Sequence, residues 1–247
     1  MTGRGLVVGM LVVGLVMAGG VLGLPGRAGA VAAAPCVSGA TLDTYIALGA
    51  VGCTVDDKTF FGFNYLNAGL GPQAADVAVG VDNTPFDPGL IFGASWQASP
   101  ANPNPDFRIA FEVKVNPGGG AIDDATLAGL TGTTGTGSGA INENLCLGGT
   151  FASPFSPLGC SGTPRVLTIS NPPPVFKDTV TFDPVLLVDV LKDIGLNSNG
   201  GSSSISEVSQ NFSEVVPEPG TLTLLGTGLV LAGGAVRRRL RQGKVPA

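Results

Sequence analysis

The sequence predicts an all-β domain, an antiparallel β-sandwich or jelly-roll-like fold with a short N-terminal helix, flanked by a signal-peptide helix and a C-terminal transmembrane helix. Three observations carry that expectation. The 247 residues include 39 Gly and 19 Pro with only 13% charged residues, which suits short strands and turns better than long helices. The interior breaks into about ten apolar, aromatic or β-branched segments bounded by Gly, Pro or Asn. An uncharged apolar run with basic residues beside it stands near each end.

At the N-terminal end, the basic start Met1–Arg4 precedes the uncharged run Gly5–Leu24 and the small residues Ala28-Gly29-Ala30. That order is the tripartite pattern of a signal peptide over 1–30, cut after Ala30 where small side chains fit the peptidase pockets. Pro35 before Cys36 departs from a lipobox, so lipoprotein processing is not expected. Signal peptidase and the secretion machinery are therefore the first expected partners.

The exported domain, residues 31–212, begins with Leu42, Tyr45, Ile46 and Gly49 at helical spacing, Thr41 as cap and Gly49 as stop. Strands are expected over 59–66, 75–82, 89–96 and 107–115. The last alternates most strictly: its odd positions from Phe107 to Val115 are apolar, while Arg108, Glu112 and Lys114 are charged, so one face meets a core and the other water. Further strands are expected over 121–129, 139–147, 165–170, 178–182, 186–191 and 205–212. The Gly/Ser/Thr/Asn tracts 131–139 and 197–204 predict mobile connections or solvent-facing turns.

Four cysteines in an exported chain predict two disulfides. Three pairings exist, and the local pairs Cys36–Cys53 and Cys146–Cys160 are the expected ones; each closes a loop of about fifteen residues, worth roughly 3 kcal/mol in the chain-entropy model. Between Pro35 and Glu214, seventeen acidic residues oppose six basic ones, a net charge of about −11. That field repels nucleic acid and other polyanions and leaves neutral glycans or divalent cations as partners.

After Ser213 a linker over 213–220 leads to the apolar run Thr221–Val236 and the basic cluster Arg237, Arg238, Arg239 and Arg241. The run makes a helix of about 24 Å, short for a span but adequate with local thinning. Its cationic end stays in the cytoplasm, which puts Glu214 and the domain outside, the orientation that the signal peptide requires. The order Val216-Pro217-Glu218-Pro219-Gly220, Gly-rich apolar helix and Arg cluster resembles the PEP-CTERM protein-sorting domain, with the transmembrane helix and basic tail over 221–241. The resemblance implies processing near the motif by exosortase, a membrane-embedded cysteine transpeptidase of exopolysaccharide-producing bacteria. It gives Pro217, Glu218 and Pro219 the role of recognition elements. Proline on either side of Glu218 also favours an extended backbone, a form suited to a protease groove. The stretch from Cys36 to Tyr65 is similar to a group of uncharacterised PEP-CTERM exported proteins, which implies no activity.

No histidine is present, which removes the His-dependent triads and the commonest zinc ligand. No catalytic residue, metal or cofactor is expected, and the protein is not expected to be an enzyme. Carboxylate chemistry would have to use Asp56-Asp57, Asp82 with Asp87, or Asp123-Asp124, each more simply a solvated turn. Asp82, Asn83 and Asp87 could offer oxygen ligands to calcium, in a spacing unlike an EF-hand. Trp96, Tyr45 and Tyr65 would make a sugar-stacking platform if exposed, and core packing is the simpler role. The expectation is an exported surface or matrix protein, anchored briefly in the membrane, that acts by structure or weak glycan contact in an exopolysaccharide layer. A dedicated carbohydrate-binding module and, after it, a carboxylate-dependent glycan hydrolase are the alternatives.

Overall fold

The computed structural model describes residues 32–68 and 70–215. The expected signal peptide over 1–30, the sorting motif Pro217-Glu218-Pro219, the expected apolar helix and the arginine cluster lie outside the described residues. Among the described residues, no helix is long and apolar enough to cross a membrane.

In chain order, β1 (Ala34–Pro35) and β2 (Ala40–Thr41) lead into α1 (Leu42–Ala47), and β3 (Cys53–Val55) turns into β4 (Lys58–Asn67). A 3-10 turn at Ala74–Asp76 precedes β5 (Ala78–Asp82), β6 (Gly89–Ala98), β7 (Asp106–Val115), β8 (Ala121–Thr134) and β9 (Ser138–Leu147). The chain continues through β10 (Thr163–Asn171), β11 (Lys177–Val185), β12 (Leu187–Asn197), β13 (Ser202–Asn211) and β14 (Glu214–Val215). One sheet, here sheet A, has the order β1-β3-β4-β7-β12-β9-β10. Sheet B has the order β11-β8-β13-β6-β5-β2, with β14 added against β8. The β1–β3 pair is parallel and the other pairs are antiparallel.

The alternation along β7 works as expected. Phe107, Ile109, Phe111 and Val113 are buried, and Phe111 of sheet A meets Phe92 of sheet B with ring centroids 5.7 Å apart. Phe60 and Phe212 make a second crossing at 6.1 Å. Each such ring contributes about 1.5–3 kcal/mol by leaving water. One hydrophobic core lies between the two sheets, an arrangement compatible with a β-sandwich. Both disulfides are the local pairs, Cys36–Cys53 and Cys146–Cys160.

The expected helix forms, and Gly49 stops it with φ +56° in the left-handed region. The Thr41 hydroxyl does not cap a backbone N–H; it pairs with the Asp43 carboxylate, which itself accepts the Thr44 N–H at 2.8 Å. Residues 74–76 are a 3-10 turn instead of the start of a strand, because Asp76 reaches back to the Gln73 N–H at 2.9 Å. The two tracts expected as mobile connections or solvent-facing turns are short turns that carry the chain between the sheets, from β8 to β9 and from β12 to β13. Only residues 135–137 lie between β8 and β9, with Gly135 at φ +59°, and the flanking Thr134 and Ser202 hydroxyls bond at 2.7 Å. Small polar side chains here serve ladder pairing, which composition alone does not distinguish from a loop. The linker expected from Ser213 likewise begins with the paired residues Glu214 and Val215.

Candidate functional site

The carboxylates singled out in the sequence occupy structural roles. Asp57 bonds the Lys58 ammonium at 2.8 Å and the Gly120 N–H at 3.0 Å, so Lys58 holds its carboxyl low against the opposing effect of burial. Asp82 accepts the Thr84 N–H at 2.9 Å and the Asn211 amide at 2.8 Å, and Asp87 accepts the Ser213 hydroxyl at 3.1 Å. Asp124 accepts the Ser213 N–H at 3.4 Å. Among the described residues, no group of three or more acidic or cysteine side chains is placed to hold a metal ion. Trp96 is fully buried and donates to the Tyr65 hydroxyl at 3.3 Å, while the buried Tyr45 hydroxyl donates to the Val37 carbonyl at 3.0 Å. These three rings offer no stacking platform.

The structure assembles a different set of residues on the outer face of sheet A. Strand register alone aligns Asp106, Gly195, Ala140 and Ser170 in one row across β7, β12, β9 and β10. Two residues further along, Arg108, Asp193, Asn142 and Thr168 make a second row across the same strands. Glycine and alanine in the middle of the first row leave the sheet floor low, and a cleft of about 580 Å³ opens over it. Asn104, Asn197, Ser170 and Pro172 also line it. A Cβ added at Gly195 would touch nothing within 4 Å, so the floor there is open space.

Asp106 and Asp193 are the charged residues that line the cleft. The Arg108 guanidinium lies 3.2 Å from Asp106 and 3.6 Å from Asp193 and donates to the Phe155 carbonyl at 3.0 Å. Burial, together with the adjacent Asp106 carboxyl, pushes Asp193 up to about 6 despite Arg108. Asp106 Oδ1 and Arg108 Nε are buried and have no hydrogen-bond partner among the described residues.

A flap over residues 148–162 covers the next part of this face. Phe151 and Phe155 pack on Ala110, Leu191 and the Cys146–Cys160 disulfide, and Asp189 fastens the flap by accepting the Phe151 N–H at 2.7 Å. Beyond it, Glu112 faces Asp189 across β7 and β12, and burial raises both carboxyls, Glu112 further through the Asp189 charge. None of Asp106, Arg108, Asp193 or Gly195 stood out in the sequence. The alternation of β7 puts Arg108 and Glu112 on the water face, but which β12 residues oppose them depends on a register that a single strand does not encode.

The other end of functional interest is β14. Glu214 and Val215 pair with Ile122 and Ala121, and the next residue opens the stretch whose order suggested sorting. Residues 215–239 match the PEP-CTERM protein-sorting motif. The motif marks the chain as an exosortase substrate, exported and held transiently in a membrane before release at the cell surface or beyond. No curated protein matches the chain. Among solved structures, one entitled "Structure of TmCBM61 in complex with beta-1,4-galactotriose at 1.4 A resolution" shares 10% identity, over 61% of this chain and 88% of that one, with a TM-score of 0.29. A likeness that slight carries no conclusion about a site.

Proposed function

We propose that this exosortase-processed protein works at the cell surface or in the extracellular matrix by binding, not catalysis, and that its β-sandwich contacts exopolysaccharide through the sheet-A cleft. The observation that carries this is an open cleft on sheet A lined by the Asp106 and Asp193 carboxyls together with Asn104, Ser138 and Asn197. Sugar hydroxyls donate and accept at neighbouring positions, which carboxyl, amide and hydroxyl groups along one cleft can meet. Hydrogen bonds to charged groups are about twice as strong as neutral ones, and the amide and hydroxyl groups of Asn104, Asn197 and Ser138 extend the same chemistry along the cleft. A domain charge of about −11 favours a neutral chain over a polyanionic one. With no aromatic ring lining the cleft, contact is weak per sugar and gains from repetition along a polymer.

The hydrolase alternative draws on the two cleft carboxylates. Glycosidases keep their carboxyl groups about 5 Å or more apart to accommodate the reacting bond. Here one cation, Arg108, lies 3.2 Å from Asp106 and 3.6 Å from Asp193, an arrangement that favours binding over acid–base work.

Affinity electrophoresis of the processed protein through the producing organism's own exopolysaccharide tests the proposal. Retardation that is lost in Gly195→Leu, with no new reducing ends released, is the expected result. Equal mobility with and without polysaccharide would overturn it.

A further inference from the structure

We propose that β14 is a strap: the folded domain holds the residues next to the sorting motif, and release of that strap sets the rate at which exosortase processes the folded precursor. This rests on the exosortase processing described above and adds a control step to it.

Three sets of contacts fix the strap. Its backbone pairs with Ile122 and Ala121 of β8, the Glu214 N–H donates to the Phe86 carbonyl at 3.2 Å, and the Asp123 N–H donates to the Ser213 carbonyl at 3.1 Å. Just before it, Phe212 is fully buried in the core. The Glu214 carboxylate then reaches the Lys58 ammonium at 2.6 Å. Lys58 is itself fully buried and also carries Asp57 at 2.8 Å. Removing one partner from a buried ion pair leaves a charge out of water, so this contact resists fraying more than a two-residue strand at a chain end otherwise would.

The sorting match starts at residue 215, inside the strap, and Pro217 lies two residues past Val215. Two residues reach at most about 7 Å. A protease groove that binds several extended residues around the motif therefore competes with β8, Phe86 and Lys58 for the same backbone. In a folded precursor the strap must open first. In an incompletely folded one it has not yet formed, so the device makes processing sensitive to the state of the domain.

Gly120 supplies a variant that crowds the strap from β8 while every residue of the motif and of the ion pair keeps its identity. A Cβ at that position would lie 2.8 Å from the Val215 carbonyl and 3.0 Å from the Glu214 carboxyl carbon. Backbone must shift to admit it. The experiment compares full-length wild type, Gly120→Ala and Glu214→Gln by two readouts: amide hydrogen exchange at residues 214 and 215 in detergent micelles, and pulse-chase conversion of precursor in cells that contain exosortase. Pro217→Ala/Pro219→Ala serves as the control for the motif.

Both variants should exchange at least tenfold faster at β14, with core amides in β7 and β12 unchanged, and should be processed at least threefold faster. Faster exchange with unchanged processing would overturn the strap as a control step. Wild-type amides at 214 and 215 that exchange at random-coil rates would overturn it as a structure. If wild type is never converted, the processing role fails and the proposal with it; conversion that is lost only in the proline control keeps the two questions separate.

Discussion

Arg108 and Asp193 stand directly opposite each other in the β7–β12 register, with the guanidinium 3.6 Å from one carboxylate, Asp193, and 3.2 Å from another, Asp106. One cation between two acids cannot neutralise both. Burial and the Asp106 carboxyl win, and Asp193 holds its proton up to about pH 6.

A pH dependence follows with a definite sign. An unfolded Asp titrates near 3.9, so between about pH 4 and pH 6 the native state binds more protons than the unfolded state, and stability falls as pH rises. The contribution is intact below about pH 4 and lost once pH passes about 6. Asp193→Asn should therefore melt higher than wild type at pH 7, with the difference vanishing toward pH 4. Thermal denaturation at several pH values checks this, and a gap that widens at low pH would contradict it.

Gly195 tests the cleft with little risk to the fold. Its backbone is not in the left-handed region and a Cβ there meets nothing, while glycine within a strand is otherwise a weak choice. Gly195→Leu should leave the free energy of urea unfolding within about 0.5 kcal/mol of wild type, the range of ordinary surface substitutions. It should nevertheless abolish retardation by exopolysaccharide. Loss of stability together with binding would mean that the glycine serves the fold.

Between the sheets, the fully buried Lys192 of β12 bonds Glu143 of β9 and crosses to Gln210 of β13 at 2.6 Å. Burial drives both charges toward neutrality, raising Glu143 and lowering Lys192. Lys192→Met should cost about 3–5 kcal/mol, because Glu143 is left buried without its cation. Adding Glu143→Gln should recover at least half, since an amide at 143 can donate to Gln210. Urea unfolding of the single and double variants decides, and a double variant as unstable as the single would show that packing, not charge, is at stake.

How much of this was legible in the sequence depended on whether the signal was local. Alternation along Phe107–Val115 identified β7 and its buried face, and cysteine spacing pointed to the two bridges that form. Gly135 and Gly200 mark their turns, but the Thr and Ser residues beside them looked like loop while pairing as ladder. The cleft was not legible at all. Asp106 and Gly195 lie far apart in the chain and become neighbours only through the β7–β12 register, and the opening exists because Ala140 and Ser170 fall in the same row. The strap was hidden for the same reason: Asp56-Asp57 looked like a solvated turn, and nothing local showed that Glu214 from the other end of the domain reaches the neighbouring Lys58.

The two disulfides separate stability from site geometry. Their sequence separations, 17 and 14, give nearly the same loop-closure contribution, about 3 kcal/mol each. Cys36–Cys53 lies at the β1–β3 edge of sheet A, away from the cleft between β7 and β10. Cys146–Cys160 ties down the flap whose Phe155 carbonyl accepts from Arg108 at 3.0 Å. Replacing either pair by serines should therefore lower stability by a similar amount. Only Cys146→Ser/Cys160→Ser should also weaken exopolysaccharide retardation and expose residues 148–162 to limited proteolysis, because Arg108 loses the contact that orients it. Equal effects of the two pairs on binding would mean that the flap takes no part in shaping the cleft.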